Sequence, residues 1–239
     1  MAGSARTTTK AATTRTATAT AATTTAATTA GSTRARRVKG VTREKDEDGV
    51  RWETRPVTPD RFEDFADVIN PNRRADSCWC LSHRVRQADI RELGDGDREA
   101  TMRALCERPL PPGVVTYRDG TAVGWINIGP RADIPRVAGS KLIRPVDDLP
   151  VWSIVCVVVR GGHRRQGVTR HLIEGAVEYA RANGAPAVEV YPVDPKGRMD
   201  TTMAFVGTKP MFERAGFEQV GTTDAVASKM PRIVMRRTF

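Results

Sequence analysis

The stretch from Val151 to Leu172, VWSIVCVVVRGGHRRQGVTRHL, sets an unbroken apolar run directly against a basic, glycine-bearing turn. Val151 to Val159 is rich in β-branched residues and too short to span a membrane, which predicts a strand buried on both faces. The next segment has the opposite character. Gly161, Gly162 and Gly167 let backbone N–H groups approach a ligand closely, while Arg164 and Arg165 add positive charge at the start of the helix that follows. A helix N-terminus leaves several N–H donors unpaired and carries a partial positive charge, so a pyrophosphate placed there gains hydrogen bonds and charge–dipole energy together. Each charge-assisted bond contributes about 1.5–3 kcal/mol.

Downstream, Val168, Leu172, Ala176, Tyr179 and Ala180 form the buried stripe of a helix that Asn183-Gly184 and Pro186 close. Ala187 to Tyr191 is the next strand, and a strand–helix–strand crossover makes the two strands a parallel pair. Upstream, Gly113–Tyr117 and Thr121–Ile128 flank Asp119-Gly120, a hairpin signal and hence an antiparallel pair. Arg51 to Val57 reads as the first strand. Thr58 is placed to cap a helix with Pro59 at its first position and Phe62, Phe65 and Ile69 at helical spacing, stopped by Asn70-Pro71-Asn72. Asp97 is placed to cap a second helix bearing Met102, Leu105 and Cys106, ended by Pro109, Pro111 and Pro112. The segment Pro130–Pro150 is long for a compact domain and is a candidate substrate loop. The fold class expected is α/β: a mixed, mostly antiparallel twisted sheet with a parallel central pair, flanked by helices.

The turn Arg164-Arg165-Gln166-Gly167-Val168-Thr169 resembles the acyl-coenzyme A signature of the GNAT acetyltransferases, which is Arg/Gln, two residues, Gly, one residue, Gly/Ala. Thr169 departs from that pattern: its hydroxyl can bond a phosphate oxygen, but its β-branch crowds the approach. Met211-Phe212-Glu213-Arg214-Ala215-Gly216-Phe217 resembles the family's closing helix and turn, and the order of elements matches over most of Arg51 to Phe239. PVDDLPVWSIVC (145–156) and YPVDP (191–195) are similar to a bacterial subgroup with small acceptors. The resemblance implies an N-acetyltransferase that uses acetyl-CoA as cosubstrate, acts on a small amine-bearing acceptor and needs no metal. It also implies that the two parallel strands splay apart to admit the pantetheine arm. The main chain around Val157 would then meet the thioester oxygen, Val159 would pair with pantetheine, and Arg164, Arg165, Gln166, Gly167, Val168 and Thr169 would hold the pyrophosphate. Many members return a proton to the leaving thiolate from a tyrosine of the closing helix; the matching residue here is Phe212, which has none to give.

An aliphatic amine has a pKa of about 10.4, so only roughly one molecule in a few thousand is neutral at pH 7. A proton acceptor is needed. Glu189 interrupts an apolar strand beside the expected gap, and Tyr191 projects from the same face two residues on. Burial there would push the carboxyl toward the range useful in a base, whereas plain alternation would turn it out to water. Asp194, Asp147 and Asp148 are alternatives able to attract a cationic acceptor. Cys78-Trp79-Cys80 with His83 invites a zinc reading, but no second cluster completes four ligands. Trp79 and Trp125 are candidates for an acceptor pocket or for the core. His163 sits in the phosphate turn, and His171 packs within the helix.

Composition confines the charge to one end. Residues 1–43 hold eight Lys/Arg and no Asp/Glu, leaving +2 of the formal +10 for everything after them. Thr and Ala make up nearly all of residues 7–30, with no apolar periodicity to offset the entropy of ordering. Residues 1–48 therefore read as a disordered basic tail and 49–239 as one domain. The cluster Arg34, Arg36, Arg37 and Lys39 allows nonspecific contact with nucleic acid. No signal peptide or membrane span is evident, and the four cysteines lack a disulfide framework, so a soluble cytoplasmic protein is expected, monomer or homodimer. The chief rival to an enzyme is a noncatalytic acyl-coenzyme A sensor.

Overall fold

The computed structural model describes residues 41–45, 49–94, 96–197 and 200–239. The Thr/Ala-rich stretch and the basic cluster at Arg34–Lys39 lie outside the described residues. Strand β1 (Val41–Lys45) pairs antiparallel with β2 (Arg51–Pro56), so the boundary expected at Gly49 falls within a hairpin rather than ahead of the first strand. No helix among the described residues is long and apolar enough to cross a membrane.

Thr58 occupies the cap position with Pro59 at the first helical position, as expected, but its side chain bonds no helix N–H. Its hydroxyl donates to the Asp60 carboxylate, Pro59–Arg61 forms a single tight 3₁₀ turn, and α1 (Phe62–Ile69) starts after it. Next come a short 3₁₀ turn at Leu81–His83, α2 (Gln87–Glu92) and α3 (Asp97–Cys106). Gly96, at φ +87°, takes the cap position expected of Asp97, whose carboxylate instead accepts the N–H of Gly94 at 3.0 Å. Strands β3 (Gly113–Arg118) and β4 (Thr121–Pro130) form the expected hairpin. Both of its central residues have positive φ (Asp119 48°, Gly120 83°), the turn whose twist suits paired strands. After α4 (Pro135–Ala138) come β5 (Trp152–Val159), α5 (Val168–Ala182), β6 (Ala187–Val190), α6 (Lys209–Glu213), β7 (Glu218–Ala227) and β8 (Met230–Thr238).

The eight strands form one sheet in the order β1-β2-β3-β4-β5-β6-β8-β7. Only β5 and β6 run parallel among them, joined by the α5 crossover. On one face α5 lays Leu172, Ile173, Ala176, Val177 and Ala180 over Ile126, Ile154, Val188 and Val190; the opposite face carries Phe62, Phe65, Trp79 and Met102 against Val115 and Trp125. Each fully buried side chain of this size contributes about 1.5–3 kcal/mol, so both faces hold the sheet.

Strand β5 departs from regular pairing on both sides. Its pairing with β6 covers only Trp152 to Ile154, so the remainder of the strand to Val159 runs on without it. Its register with β4 slips between Asn127↔Cys156 and Ile128↔Ile154, leaving Val155 as the extra residue of a bulge. A bulge bends a strand and re-aims its neighbours, here where the parallel strands part.

Candidate active site

The gap opened by β5 and β6 contains a cavity of about 570 Å³. Val157, Val158 and Val159 form one wall, and the following turn supplies His163, Arg164, Arg165, Gly167, Val168 and Thr169. Of the residues the sequence assigned to a coenzyme, Gln166 does not line this cavity. Its side chain braces the turn, accepting from Arg118 and donating to the carbonyl of Gly162 at 3.1 Å. Gly167 has φ +78° and caps α5; a β-branched residue there would be strained, and the first turn of α5 behind it, Val168 to Arg170, lines the cavity.

The far wall was not read from sequence. Ala204 and Phe205, from a 3₁₀ segment at Thr201–Val206, and Met211 and Arg214, at and just beyond α6, close it, while Arg170 joins from the first turn of α5. The cavity thus gathers four guanidinium groups and no carboxylate among its lining residues. Arg170 was within reach of sequence reasoning, since it lies on the same helical turn as Val168. Arg214 and Phe205 were not, because only chain folding brings them back over β5.

Glu189 and Tyr191 lie side by side, but in a different setting from either expectation. Glu189 is 1% exposed, so it does not alternate outward to water. Its Oε1 accepts from Arg236 Nε at 3.1 Å and Nη2 at 2.7 Å; its Oε2 accepts from the Tyr191 hydroxyl at 3.1 Å and lies 3.8 Å from Arg131. Arg236 also grips Asp147 through two bonds of 2.6 and 2.9 Å, which holds Asp147 below the usual carboxylate range. The Tyr191 hydroxyl further meets Ser153 Oγ at 3.0 Å and receives a bond from Arg131. Burial, aided by the Glu189 charge, pushes this phenol above its ordinary value. The proton-accepting carboxylate proposed from sequence is therefore one member of an Arg131–Tyr191–Glu189–Arg236–Asp147 network. The strand pattern signalled the carboxylate and not its partners.

The candidate loop Pro130–Pro150 covers this network and lines a second cavity of about 340 Å³, with Asp147, Asp148, Leu149, Glu189 and Arg236 on its walls. Trp79 and Trp125 are at most 1% exposed and belong to the core. Trp125 donates to Cys80 Sγ at 3.1 Å, and Cys80 lies 3.9 Å from Cys156 Sγ, while Cys78 is exposed. Among the described residues no three His, Cys, Asp or Glu side chains converge as metal ligands. His171 stacks on Trp52 at 4.0 Å, and Phe212 is buried against Phe217.

A parallel strand pair parts over a cationic, helix-capped cavity whose chemistry suits a phosphate-bearing cosubstrate. Residues 82–217 match the model of the acetyltransferase (GNAT) family, and the chain belongs to that family. It is accordingly an acyltransferase with acetyl-CoA as cosubstrate. Among solved structures it is similar to a protein from Bacillus halodurans, with 10% identity, a TM-score of 0.51, and coverage of 84% of this chain and 91% of that one. A GNAT-family acetyltransferase from Streptococcus agalactiae gives 11%, 0.47, 80% and 96%. The PaiA N-acetyltransferase of Thermoplasma acidophilum, solved with coenzyme A, gives 12%, 0.43, 79% and 99%. At such identities the likeness is one of fold. No curated protein matches the chain in sequence. The larger cavity fits acetyl-CoA chemically. Arg164, Arg165, Arg170, Arg214 and the α5 N–H groups suit its phosphates, and Val157, Val159, Phe205 and Met211 offer an apolar wall to its arm.

Proposed function

We propose that this protein transfers the acetyl group of acetyl-CoA directly to a primary amine of a small-molecule acceptor in the cytoplasm. What carries this reading is the cavity at the parting of β5 and β6, because one run of residues lines it from strand to helix N-terminus. In it, Arg164, Arg165 and the main chain of Gly167, Val168 and Thr169 bind the pyrophosphate, with Gln166 bracing their turn. The main chain at Val157 and Val159, just past the bulge, orients the thioester and donates to the oxygen on which charge develops. Such a donor contributes on the order of 2.7–4 kcal/mol to the transition state. Acetyl-CoA supplies the activated acyl carbon.

The amine must lose a proton as its nitrogen bonds that carbon and the carbon–sulfur bond breaks. Glu189 takes up this proton through the Tyr191 hydroxyl, which already donates to it. Arg131 and Arg236 hold both groups in place, so the relay needs no rearrangement at the moment of transfer. Phe212, the residue that matches the family's phenol, is buried against Phe217 and does not line the cavity, and a thiol of pKa about 8.5 departs without such help.

Thermal unfolding of the full chain with and without acetyl-CoA tests the binding half. At a hundred times Kd the ligand adds about 2.7 kcal/mol, a rise of roughly 5–10 °C in Tm. Arg164→Ala combined with Gly167→Val is expected to remove most of that rise. Acceptor-dependent release of free thiol tests the chemistry. Coenzyme binding with no thiol release across primary amines would leave a sensor, and no binding of the coenzyme at all would remove both halves; the proposal survives neither.

A further inference from the structure

The proton relay draws on Arg131 and Arg236, both of which the fold supplies with carboxylates. Three other guanidinium groups, those of Arg84, Arg136 and Arg232, bear electrostatically on the imidazole of His83, and Arg136 and Arg232 hold no carboxylate among the described residues. Arg84 adjoins it in the chain. Arg136, from α4, donates from Nη1 to the Ser82 carbonyl at 2.8 Å. Arg232, from β8, donates from Nε to the Tyr191 carbonyl at 2.7 Å. Among the described residues none of the three forms an ion pair, including with Asp194, whose N–H bonds the neighbouring Pro231 carbonyl at 3.3 Å.

The three differ in what they have left to offer. Arg84 is buried and used up as a staple, with Nε on Asn127 Oδ1 at 2.8 Å and Nη2 on the carbonyls of Pro112 and Ile128 at 2.7 and 2.6 Å. Arg136 and Arg232 each spend one nitrogen on a carbonyl, and their remaining nitrogens make no bond among the described residues. Along β8, Arg232 shares a face with Val234 and Arg236, the face on which Tyr191 and Glu189 project. The His83 ring stands edge-on to Phe205 at 6.0 Å, and Phe205 lines the coenzyme cavity. The unneutralised charge thus lies between that cavity and the proton-accepting pair.

Arg136 is exposed and Arg232 half-buried, so the cost of a cation without a counter-ion falls on Arg232, and a ligand's anion is the natural remedy. Burial alone lowers Arg232 to about 10, and burial with the three arginine charges lowers His83 to about 4. The imidazole is therefore neutral at pH 7 and leaves the positive charge to the arginines.

We propose that the acceptor carries an oxyanion, carboxylate or phosphate-like, apart from its amine, and that Arg232 and Arg136 hold it while the amine faces Tyr191 and Glu189. This deepens the acetyl-transfer reading and rests on it. The full chain saturated with coenzyme A, which binds without turnover, is titrated calorimetrically with 4-aminobutyrate, 3-aminopropylphosphonate and n-butylamine. At least one of the two anionic amines is expected to bind about tenfold or more tighter than butylamine, the factor one charge-assisted contact provides. Which of the two gains more separates a carboxylate from a phosphate-like group. Arg232→Gln is expected to close the gap. Arg136→Gln, an exposed position whose change spares folding, is expected to narrow it, with the affinity for coenzyme A unchanged in both. Equal affinity for all three amines, no measurable binding of any, or a preference untouched by both substitutions overturns the inference. If coenzyme A itself fails to bind, the acetyl-transfer reading falls as well.

Discussion

Replacing Gly175 by alanine sets two effects of opposite sign against each other. Gly175 lies mid-helix in α5, where alanine is favoured over glycine by about 1 kcal/mol on propensity alone. In this fold, however, the added methyl would lie 2.4 Å from Thr54 Oγ1, 2.5 Å from its Cβ and 2.6 Å from its Cγ2. Thr54 cannot swing clear, because it is buried on β2 and its hydroxyl is bonded to that of Thr116 at 2.8 Å. Relief therefore requires α5 to move off the sheet by most of an ångström. Overpacking costs about 1–3 kcal/mol, and with three heavy atoms of a buried side chain within 2.6 Å the upper half of that range, about 2–3 kcal/mol, applies. Subtracting the helix gain leaves a net loss of about 1–2 kcal/mol, and a domain of this length should melt about 3–6 °C lower. The same shift carries the N-terminus of α5 with it, so acetyl-CoA should also bind more weakly although Gly175 is remote from the cavity. Urea and thermal unfolding of the unliganded protein, followed by titration with acetyl-CoA, read both effects. A Gly175→Ala protein as stable as the parent, or more so, would show that α5 does not sit this close to β2.

The buried polar groups make further outcomes measurable. Glu189→Gln keeps the shape of the side chain but removes the charge between Arg236 and Arg131. The loss of a buried partner is expected to destabilise by about 3 kcal/mol in chemical denaturation. In the same variant and in Tyr191→Phe, kcat is expected to fall about a hundredfold, the usual scale of a lost proton acceptor, with coenzyme affinity preserved. Unchanged kcat in both would remove the pair from the mechanism. His83 is held down to about 4 from its ordinary 6.5 by burial and by Arg136, Arg232 and Arg84. The unfolded chain takes up this proton below 6.5 and the native protein not until about 4. Stability is thus complete above pH 6.5 and declines as pH falls through that window, by at most about 3 kcal/mol. Unfolding of His83→Phe measured from pH 8 to 4 should show a shallower acid limb; a slope identical to the parent would refute the assignment.

Much of the architecture was legible in residues 113–191 because its signals are local. The stripe Val168, Leu172, Ala176, Tyr179 and Ala180 is buried as its spacing implied, and the Asp119-Gly120 turn joins two paired strands. Helix starts were read less well. Thr58 holds its cap position but bonds Asp60 in place of a helix N–H and opens a 3₁₀ turn ahead of α1, while a left-handed glycine took the position expected of Asp97. The tight turn at Leu81–His83, the wall segment Thr201–Val206 and the β7–β8 hairpin carried no comparable pattern.

The arginine- and glycine-bearing turn and the βαβ unit that presents it were decided by the order of residues along the chain, since apolar periodicity, glycine and arginine act over a few residues each. Only tertiary structure decided the rest of the site. Glu189 became the centre of an ion network because β8 and the loop after β4 brought Arg236 and Arg131 to it from 47 and 58 positions away in the sequence. Phe205 and Arg214 closed the larger cavity, and Arg136 and Arg232 came to bear on His83 without carboxylates of their own among the described residues, through contacts likewise distant in the chain. Burial and charge pairing depend on which strands lie side by side. That choice is set by packing two apolar faces onto one sheet, and no window of sequence contains it.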